Sequence, residues 1–292
     1  MANLSASLSA LLELARPKDW VKNVFVLMPV PFALADGATL DPPSFVLGIA
    51  GFCLGNSSVY AFNDAFDLEL DRNHATKCFR PVAAGRISVA QALVFSAVLL
   101  AAGLLLTNLS GQIEATGILV VYALLNVIYS VWGKHVPLID VFLLSSGFIL
   151  RVLLGCALLG VAASSWLLLC SSGLALFLAL AKRRADLAMG LDGEHRPSLS
   201  GYNLPYLDQA IGITSAMTLM AYALYCIEAA VLIPGREFAT LPFVVFGVFD
   251  YLRICHVEQT GGSPVDLLLS SPAIMTCGLG WIMATFWSVG LL

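Results

Sequence analysis

Long apolar runs constrain the fold of this chain more than any other feature of its sequence. The run at 88–108, for example, contains no charged side chain. About 20 consecutive apolar residues are needed for an α-helix to cross a bilayer. The whole chain is only 12% charged, whereas soluble domains carry roughly 25% charged residues. The sequence therefore predicts an all-α, polytopic membrane protein.

A hydropathy window along the chain predicts nine membrane-spanning helices. Two prolines, Pro29 and Pro31, interrupt the first of them, which is the weakest of the nine. We expect a transmembrane bundle of about nine helices that forms a single membrane domain over residues 1–292. The predicted spans are 21–36, 44–62, 88–108, 113–132, 138–160, 164–181, 210–233, 238–254 and 271–291.

The remaining composition argues against several other classes of protein. The first twenty residues lack the basic start and separate apolar core of a signal peptide, and they are typical of a short amphipathic helix at the membrane surface. The seven cysteines form no CxxC pair, so neither a disulfide framework nor a zinc site is predicted. No nucleic-acid partner is predicted, and the sequence is compatible with a homo-oligomer.

The distribution of basic residues predicts the orientation of the bundle. Thirteen of the 15 Lys and Arg residues flank the start of the first span or the end of an even-numbered span, and the exceptions are Arg151 and Arg236. Cytoplasmic loops are enriched in such residues. We therefore expect a cytoplasmic N-terminus, an outer C-terminus, and two large cytoplasmic loops, 63–87 and 182–209. In a bacterium this corresponds to the inner membrane, with the active site facing the cytoplasm.

Three aspartates follow the second predicted span directly, within the stretch "YAFNDAFDLELD" at 60–71. If the helix continues through this stretch, Asn63, Asp64, Asp67 and Asp71 lie within one arc of about 100°. Carboxylates so close together repel one another unless a cation lies between them, and oxygen ligands suit Mg²⁺. A solvated acidic helix end is the alternative. We predict that the three aspartates are catalytic and bind Mg²⁺ together with a phosphorylated substrate.

The second cytoplasmic loop is basic rather than acidic, which predicts direct binding of a phosphate. Two alternatives stay open: the cations flank a helix only as topology signals, and Lys182 and Asp186 form only an i,i+4 pair. Within a span, Arg151 is either functional or a structural tie to a neighbouring helix. The cations of this loop are Lys182, Arg183, Arg184 and Arg196, and its acids are Asp186, Asp192 and Glu194.

The stretch "NDAFDLELD" resembles the NDxxDxxxD motif of the UbiA superfamily of membrane prenyltransferases, which are bundles of about nine helices. "RPKDWVKN" at 16–23, the long stretch at 129–155, "LALAKRRADL" at 178–187, and two stretches near the end further resemble the decaprenyl-phosphate phosphoribosyltransferases of that superfamily. The second DxxxD motif of the enzymes that use prenyl diphosphates is replaced here by "AKRRADLAMGLDGEHRP". Asp250 stands where a cation is expected in the subgroup.

The resemblance implies an Mg²⁺-dependent transfer of 5-phosphoribose from 5-phosphoribosyl 1-diphosphate to a polyprenyl phosphate such as decaprenyl phosphate. Such a product would serve as an arabinan precursor in cell-wall biosynthesis. Two alternatives remain: transfer of a prenyl group to an aromatic acceptor such as 4-hydroxybenzoate, and a transporter. The predicted substrate-binding residues are Lys22, Asn63, Arg72, Lys77, Arg80, Tyr129, Lys134, Arg151, Lys182, Arg183 and Asp186.

Overall fold

The structure, a computed structural model, describes residues 2–73, 76–191, 193, 196–258 and 271–292; at 2–7 and 258 it describes the backbone alone. Every regular element in these ranges is a helix, which confirms the all-α prediction. The α-helices are α1 (Ala2–Ala15), α2 (Val30–Ala35), α3 (Pro42–Phe66), α4 (Leu68–Arg72), α5 (Val89–Leu109), α6 (Ile113–Val131), α7 (Ile139–Leu158), α8 (Ser165–Ala188), α9 (Leu204–Glu228), α10 (Leu241–Arg253) and α11 (Pro272–Ser288).

Shorter helical elements join these helices. The longest is a run of 3₁₀ turns at Pro17–Leu27, which lies between α1 and α2. A π-helical turn at Ile254–Glu258 follows α10 directly. The remaining 3₁₀ turns lie at Lys77–Phe79, Gly133–His135 and Pro197–Gly201.

Six helices within the described ranges, α3 and α5 to α9, are long and apolar enough to cross a membrane. They coincide with six of the nine predicted spans, so the chain is a polytopic membrane protein. The other three predicted spans are helical but shorter or interrupted. The span predicted at 21–36 is divided between the 3₁₀ run and α2, because Pro29 and Pro31 cannot donate helix hydrogen bonds. The last two correspond to α10 and α11, which have 13 and 17 residues.

The chain forms two compact units. The first comprises Met1–Val26 and Asp41–Lys134, and its core includes Leu14 of α1, Ala61 of α3 and Ala92 of α5. The second comprises Leu27–Leu40 and His135–Leu292. Its core packs side chains of α7 to α11, and includes Val141, Phe177, Leu207, Ile211 and Tyr251. That residues 1–292 act as one domain stays a prediction.

Within the first unit, glycines bring α3 and α5 unusually close. A methyl group added at Gly51 would lie 2.7 Å from the carbonyl oxygen of Gly103, and one added at Gly103 would lie 2.7 Å from the carbonyl oxygen of Gly51. No side chain fits at such a distance, so the two backbones pack directly against each other. Small residues allow this kind of approach between membrane helices. The helix that carries the aspartate motif is therefore held firmly at its middle.

Candidate active site

A turn at Asp67 interrupts the helix that carries the aspartate motif. α3 ends at Phe66 and α4 begins at Leu68, and Asp67 between them has φ −91° and ψ 12°. The expectation of one continuous helix through 63–71 is therefore corrected at this residue. Aspartate side chains favour such helix ends over helix interiors. The helical hydrogen bonds resume directly after this turn, because the N–H of Asp71 donates to the carbonyl of Asp67 at 2.8 Å.

Asp64 is the most deeply buried carboxylate of the motif, with 1% of its surface exposed. Its Oδ1 accepts from Nη2 of Arg16 at 2.5 Å and from Nη1 of Arg80 at 3.2 Å. Arg16 precedes Pro17, which disfavours the helical conformation at Arg16, and α1 ends at Ala15. Arg16 itself has a φ of 50°, in the left-handed region. This backbone conformation places the guanidinium on Asp64, 48 residues further along the chain.

Arg80 joins two of the aspartates. Its Nη1 also donates to Oδ2 of Asp71 at 2.6 Å, and Asp71 is 2% exposed. Arg80 ends the 3₁₀ turn at Lys77–Phe79 and is followed by Pro81, so the chain is extended at this point (ψ 149°). The repulsion between Asp64 and Asp71 is thus offset by a guanidinium between them.

The remaining aspartate of the motif has a different cation. Asp67 accepts from Nζ of Lys134, and the same ammonium lies 5.3 Å from the ring centroid of Phe66. Lys134 belongs to the 3₁₀ turn at Gly133–His135, which follows α6. One turn before it on α6, Ser130 donates to Oδ1 of Asn63. The end of α6 therefore contacts both the first and the third polar position of the motif.

Further cations surround Tyr60, one turn before Asp64 on α3. Lys22 donates to the Tyr60 hydroxyl at 3.2 Å and also pairs with Asp19. The Arg16 guanidinium lies 5.0 Å from the centroid of the Tyr60 ring. Together these contacts define the aspartate–cation cluster, whose members are Arg16, Lys22, Tyr60, Asn63, Asp64, Asp67, Asp71, Arg80, Ser130 and Lys134.

Three other residues with predicted roles, Arg72, Lys77 and Tyr129, belong to this unit. Arg72 is exposed at the end of α4 and bonds Glu69 at 3.1 Å. Lys77 is half-buried in its 3₁₀ turn, and Tyr129 is half-buried on α6 beside Ser130. His74 lies outside the described residues. That Arg72, Lys77 and Tyr129 bind substrate stays a prediction.

The donor set of the cluster fits a magnesium ion bound together with a substrate. Oδ2 of Asp64 is buried and accepts no hydrogen bond from any residue that the structure describes. Within the same ranges, no three His, Cys, Asp or Glu side chains converge into a complete metal site. Mg²⁺ commonly uses one or two carboxylates and takes its other ligands from substrate phosphates and water. The residues present match that mode of binding.

The second unit contains a separate polar group, the Asp140 network. Asp140 is fully buried at the start of α7, and its Oδ2 accepts from Nε of Arg183 at 2.6 Å and from Oγ of Ser198 at 2.9 Å. Its Oδ1 accepts from the Tyr202 hydroxyl at 2.7 Å. Burial and this bond to Asp140 raise the pKa of Tyr202 above its ordinary value, so the hydroxyl stays protonated.

The other residues of the second unit with predicted roles differ in burial and in bonding partners. Arg183 also donates to Asp186 at 3.1 Å, and Lys182 is half-buried beside it on α8. Arg151 is buried in α7, where it donates to the carbonyl of Gly147 at 2.7 Å and lies over the Phe148 ring. Asp192 and Glu194 lie outside the described residues. That Lys182, Arg183, Asp186 and Arg151 bind substrate stays a prediction.

Sequence reasoning left out some residues of these groups. The pairing of Arg16 with Asp64 was not predicted, and Ser130 had no signal of its own. Asp140 lies 43 residues before its partner Arg183, and no local pattern indicated that the two would pair. Arg184, interpreted as a topology signal, bonds Asp208 at 2.5 Å and the carbonyl of Cys255 at 2.6 Å. A charged residue placed at a helix end gave no indication that it would be buried.

Comparison with known proteins identifies relatives along most of the chain. The UbiA prenyltransferase family matches residues 23–257. A decaprenyl-phosphate phosphoribosyltransferase of Corynebacterium glutamicum is 32% identical over 94% of this chain and 85% of its own length. Another, from Mycobacterium tuberculosis, is 30% identical over 91% of this chain and 90% of its own length.

The fold is also that of solved members of the family. A UbiA homologue from Archaeoglobus fulgidus, solved with DMAPP and Mg²⁺ bound, superposes with a TM-score of 0.72. The match covers 97% of this chain and 99% of that one, at 20% sequence identity, and is evidence for the fold alone. The family match, the fold and the motif-bearing cluster agree, and this chain belongs to the UbiA prenyltransferase family.

Proposed function

We propose that this protein transfers 5-phosphoribose from 5-phosphoribosyl 1-diphosphate to a polyprenyl phosphate and releases diphosphate. Relatives that match more than nine-tenths of the chain carry the name decaprenyl-phosphate phosphoribosyltransferase. The observation that carries the proposal is that Asp64, Asp67 and Asp71 are each already paired with a cation. These pairs supply both kinds of partner that a magnesium-bound diphosphate requires, namely carboxylates for the metal and cations for the phosphates.

Magnesium would be held by Asp64 and Asp67 or Asp71, and when bound it supplies charge neutralisation for the departing diphosphate. Arg16, Arg80 and Lys134 would then turn from the carboxylates to phosphate oxygens. Positive charge develops on the ribosyl ring as its C1–O bond breaks, and a carboxylate of the motif stabilises that charge. An oxygen of the lipid phosphate forms the new bond to C1. This oxygen is already anionic at neutral pH, so the reaction needs no strong general base.

The predicted substrate-binding residues of the second unit are assigned roles from their burial and their partners. Arg183 and Asp186 are bonded to each other, and Arg183 is fully buried against Asp140. We assign Arg183 to the positioning of α8, and Lys182, which is half-buried, to a substrate phosphate. Arg151 would serve in the same unit as a buried cation, either for substrate or as a tie within the bundle.

The proposed location of the enzyme follows from its charges. The basic residues at the ends of the spans favour a cytoplasmic N-terminus and an active site that faces the cytoplasm. This side suits a soluble phosphorylated donor, while the acceptor is a membrane lipid. The protein would accordingly reside in the bacterial inner membrane.

The test is a transfer assay with the purified protein in detergent, supplied with Mg²⁺, decaprenyl phosphate and radiolabelled 5-phosphoribosyl diphosphate. We expect a labelled lipid that disappears on addition of EDTA and in Asp67→Asn. Glu69→Gln is the matched control, because it removes the same charge from an exposed residue of α4. A prenylated aromatic, formed instead from a prenyl diphosphate and 4-hydroxybenzoate, would overturn the proposal in favour of the alternative.

A further inference from the structure

One polar side chain inside the membrane-spanning part of α3, that of Asn56, has no hydrogen-bonding partner among the described residues. Asn56 is 0% exposed, and neither its Oδ1 nor its Nδ2 makes a hydrogen bond with the residues that the structure describes. Burial of an unpaired amide costs free energy, and most buried polar atoms in proteins are paired. Like the unpaired Oδ2 of Asp64 on the same helix, this amide points to a partner that arrives from outside the chain.

The neighbours of Asn56 on α3 are satisfied. Ser57 accepts from Nε1 of Trp20 at 2.9 Å and donates to the carbonyl of Ala15 at 2.6 Å. Ser58 and Ser96 are bonded to each other at 3.0 Å. The buried hydroxyl groups of the two serines that follow Asn56 are therefore hydrogen-bonded, whereas the amide of Asn56 has no partner among the described residues.

Asn56 shares a face of α3 with the aspartate–cation cluster. At 100° per residue, Asn56, Tyr60 and Asn63 lie within one narrow arc. Asn56 precedes Asp64 by two turns, which corresponds to about 12 Å along the helix axis. The unpaired amide thus lies directly below the cluster, on the side of the bilayer interior.

The chemistry of an amide restricts what its partner is. An amide offers an acceptor and two donors, so the group that satisfies both ends also donates and accepts, as a hydroxyl does. A phosphate at neutral pH mainly accepts, and a prenyl chain does neither. The vicinal hydroxyl groups of a sugar match the amide best.

The distance fits a sugar whose diphosphate is held by the cluster. Seven bonds separate a terminal diphosphate oxygen from the 2-hydroxyl of the ribosyl group. At the roughly 1.2 Å per bond of an extended chain they cover about 8 Å, and a hydrogen bond adds about 3 Å. A ribosyl diphosphate anchored at Asp64 therefore reaches the depth of Asn56.

We propose that Asn56 binds the 2- or 3-hydroxyl of the ribosyl group and thereby selects a sugar donor over a prenyl donor. The inference rests on the proposed function and deepens it. A buried polar group built to bind a hydroxyl strongly rejects an analogue that lacks it, because the group is then left unpaired. A prenyl diphosphate would place hydrocarbon against the amide.

A donor that reaches Asn56 from the cluster passes Tyr60, which lies one turn closer to the aspartates on the same face. The Tyr60 ring is held by Arg16 and Lys22, whose charges lie 5.0 and 5.6 Å from its centroid. A diphosphate attracts both cations, which weakens their hold on the ring. Binding of the donor diphosphate is in this way coupled to opening of the path to the amide.

The test compares donors rather than variants alone. The kcat/KM is measured for 5-phosphoribosyl diphosphate and for its 2-deoxy and 3-deoxy analogues, in the wild type, in Asn56→Leu and in the control Ser58→Ala. We expect the wild type to prefer the full donor by at least about 100-fold over one of the analogues. In Asn56→Leu this ratio falls at least tenfold, while in Ser58→Ala it stays as in the wild type.

A purely structural role for Asn56 predicts a different result, since it would slow all donors equally. Thermal unfolding supplies a second readout: apo Asn56→Leu unfolds at the wild-type temperature or above it, and loses most of the stabilisation that 5-phosphoribosyl diphosphate gives the wild type. An unchanged donor ratio in Asn56→Leu overturns this inference alone. A wild type without phosphoribosyl transfer overturns the proposed function, and this inference with it.

Discussion

The aspartate–cation cluster and the Asp140 network use the same kind of charge pair in opposite ways. In the network, Arg183 and Asp140 are both 0% exposed, and each oxygen of Asp140 accepts at least one hydrogen bond. In the cluster, Arg16 and Arg80 are about a quarter exposed, and Oδ2 of the buried Asp64 has no protein donor within the described residues. A closed set of partners stabilises structure, whereas an open set allows partners to be exchanged.

The largest effect is expected from Asp64→Asn. This change removes a negative charge from the proposed diphosphate site, so we expect kcat/KM to fall at least about 1,000-fold. The melting temperature should change little, because the partly exposed Arg16 and Arg80 can be solvated without it. Steady-state kinetics and thermal unfolding in detergent measure the two quantities. A fall in melting temperature that accounts for the lost activity would contradict the comparison.

For Asp140→Asn we expect a large loss of stability and only a small loss of activity. This change removes the fully buried counter-ion of Arg183 and leaves the more exposed Asp186 as a partner of that charge, and breaking such a buried pair typically destabilises by about 3–5 kcal/mol. Thermal unfolding should show the loss, with activity per folded molecule far less affected than in Asp64→Asn. The double variant Asp140→Leu with Arg183→Met replaces the pair by apolar side chains, and we expect it to regain most of the stability. No recovery would mean that the network has a role beyond its own pairing.

A smaller and more selective effect is expected from Lys134→Met. Because Lys134 pairs with Asp67, the least buried of the three aspartates, we expect KM for 5-phosphoribosyl diphosphate to rise about tenfold. Lys18→Met is the control, since Lys18 is exposed and lies on the same unit. The measurement is KM for each substrate in turn. Equal effects in the two variants would show that general surface charge, and not the pair with Asp67, is responsible.

The smallest effect is expected at the ion pair between Arg86 and Glu13, which joins α1 to the segment before α5. Both side chains are more than two-fifths exposed, so Glu13→Gln should cost less than about 1 kcal/mol. The hydrogen bond from Arg86 lowers the pKa of Glu13. The stabilisation is therefore complete above the ordinary pKa of 4.5 and is lost as the pH falls through the lowered value. Melting temperatures of wild type and variant should converge below that range.

The membrane-spanning helices were predictable because their signal is local. Each of the six long spans is an apolar run whose length alone separates it from a soluble segment. The first predicted span is not one continuous helix, because proline has no backbone N–H to donate. The sequence already indicated this weakness, since Pro29 and Pro31 lie within the span. The interruption at Asp67 was not visible, because a turn of one residue leaves the spacing of the motif unchanged.

The partners of the charged residues were much less predictable than the charges themselves. The three aspartates could be grouped from their spacing, but Arg16 lies 48 residues and Lys134 lies 67 residues from its carboxylate. Such pairs depend on which distant segments the fold brings together, and a local sequence pattern carries no information about that. The same reason explains Arg183, whose sequence setting resembles that of any basic helix end, although its side chain is completely buried.

The close approach of α3 and α5 at Gly51 and Gly103 bears on the timing of the proposed reaction. Since the two backbones touch, α3 can neither rotate nor slide without a collision, and the carboxylate of Asp64 keeps its place between turnovers. The entropy of ordering that carboxylate is therefore lost once, when the chain folds, and not again with each donor that binds. The parts left free to respond to substrate are the side chains of Arg16 and Lys22 at the 3₁₀ run, so this region should set the rates of donor entry and diphosphate release.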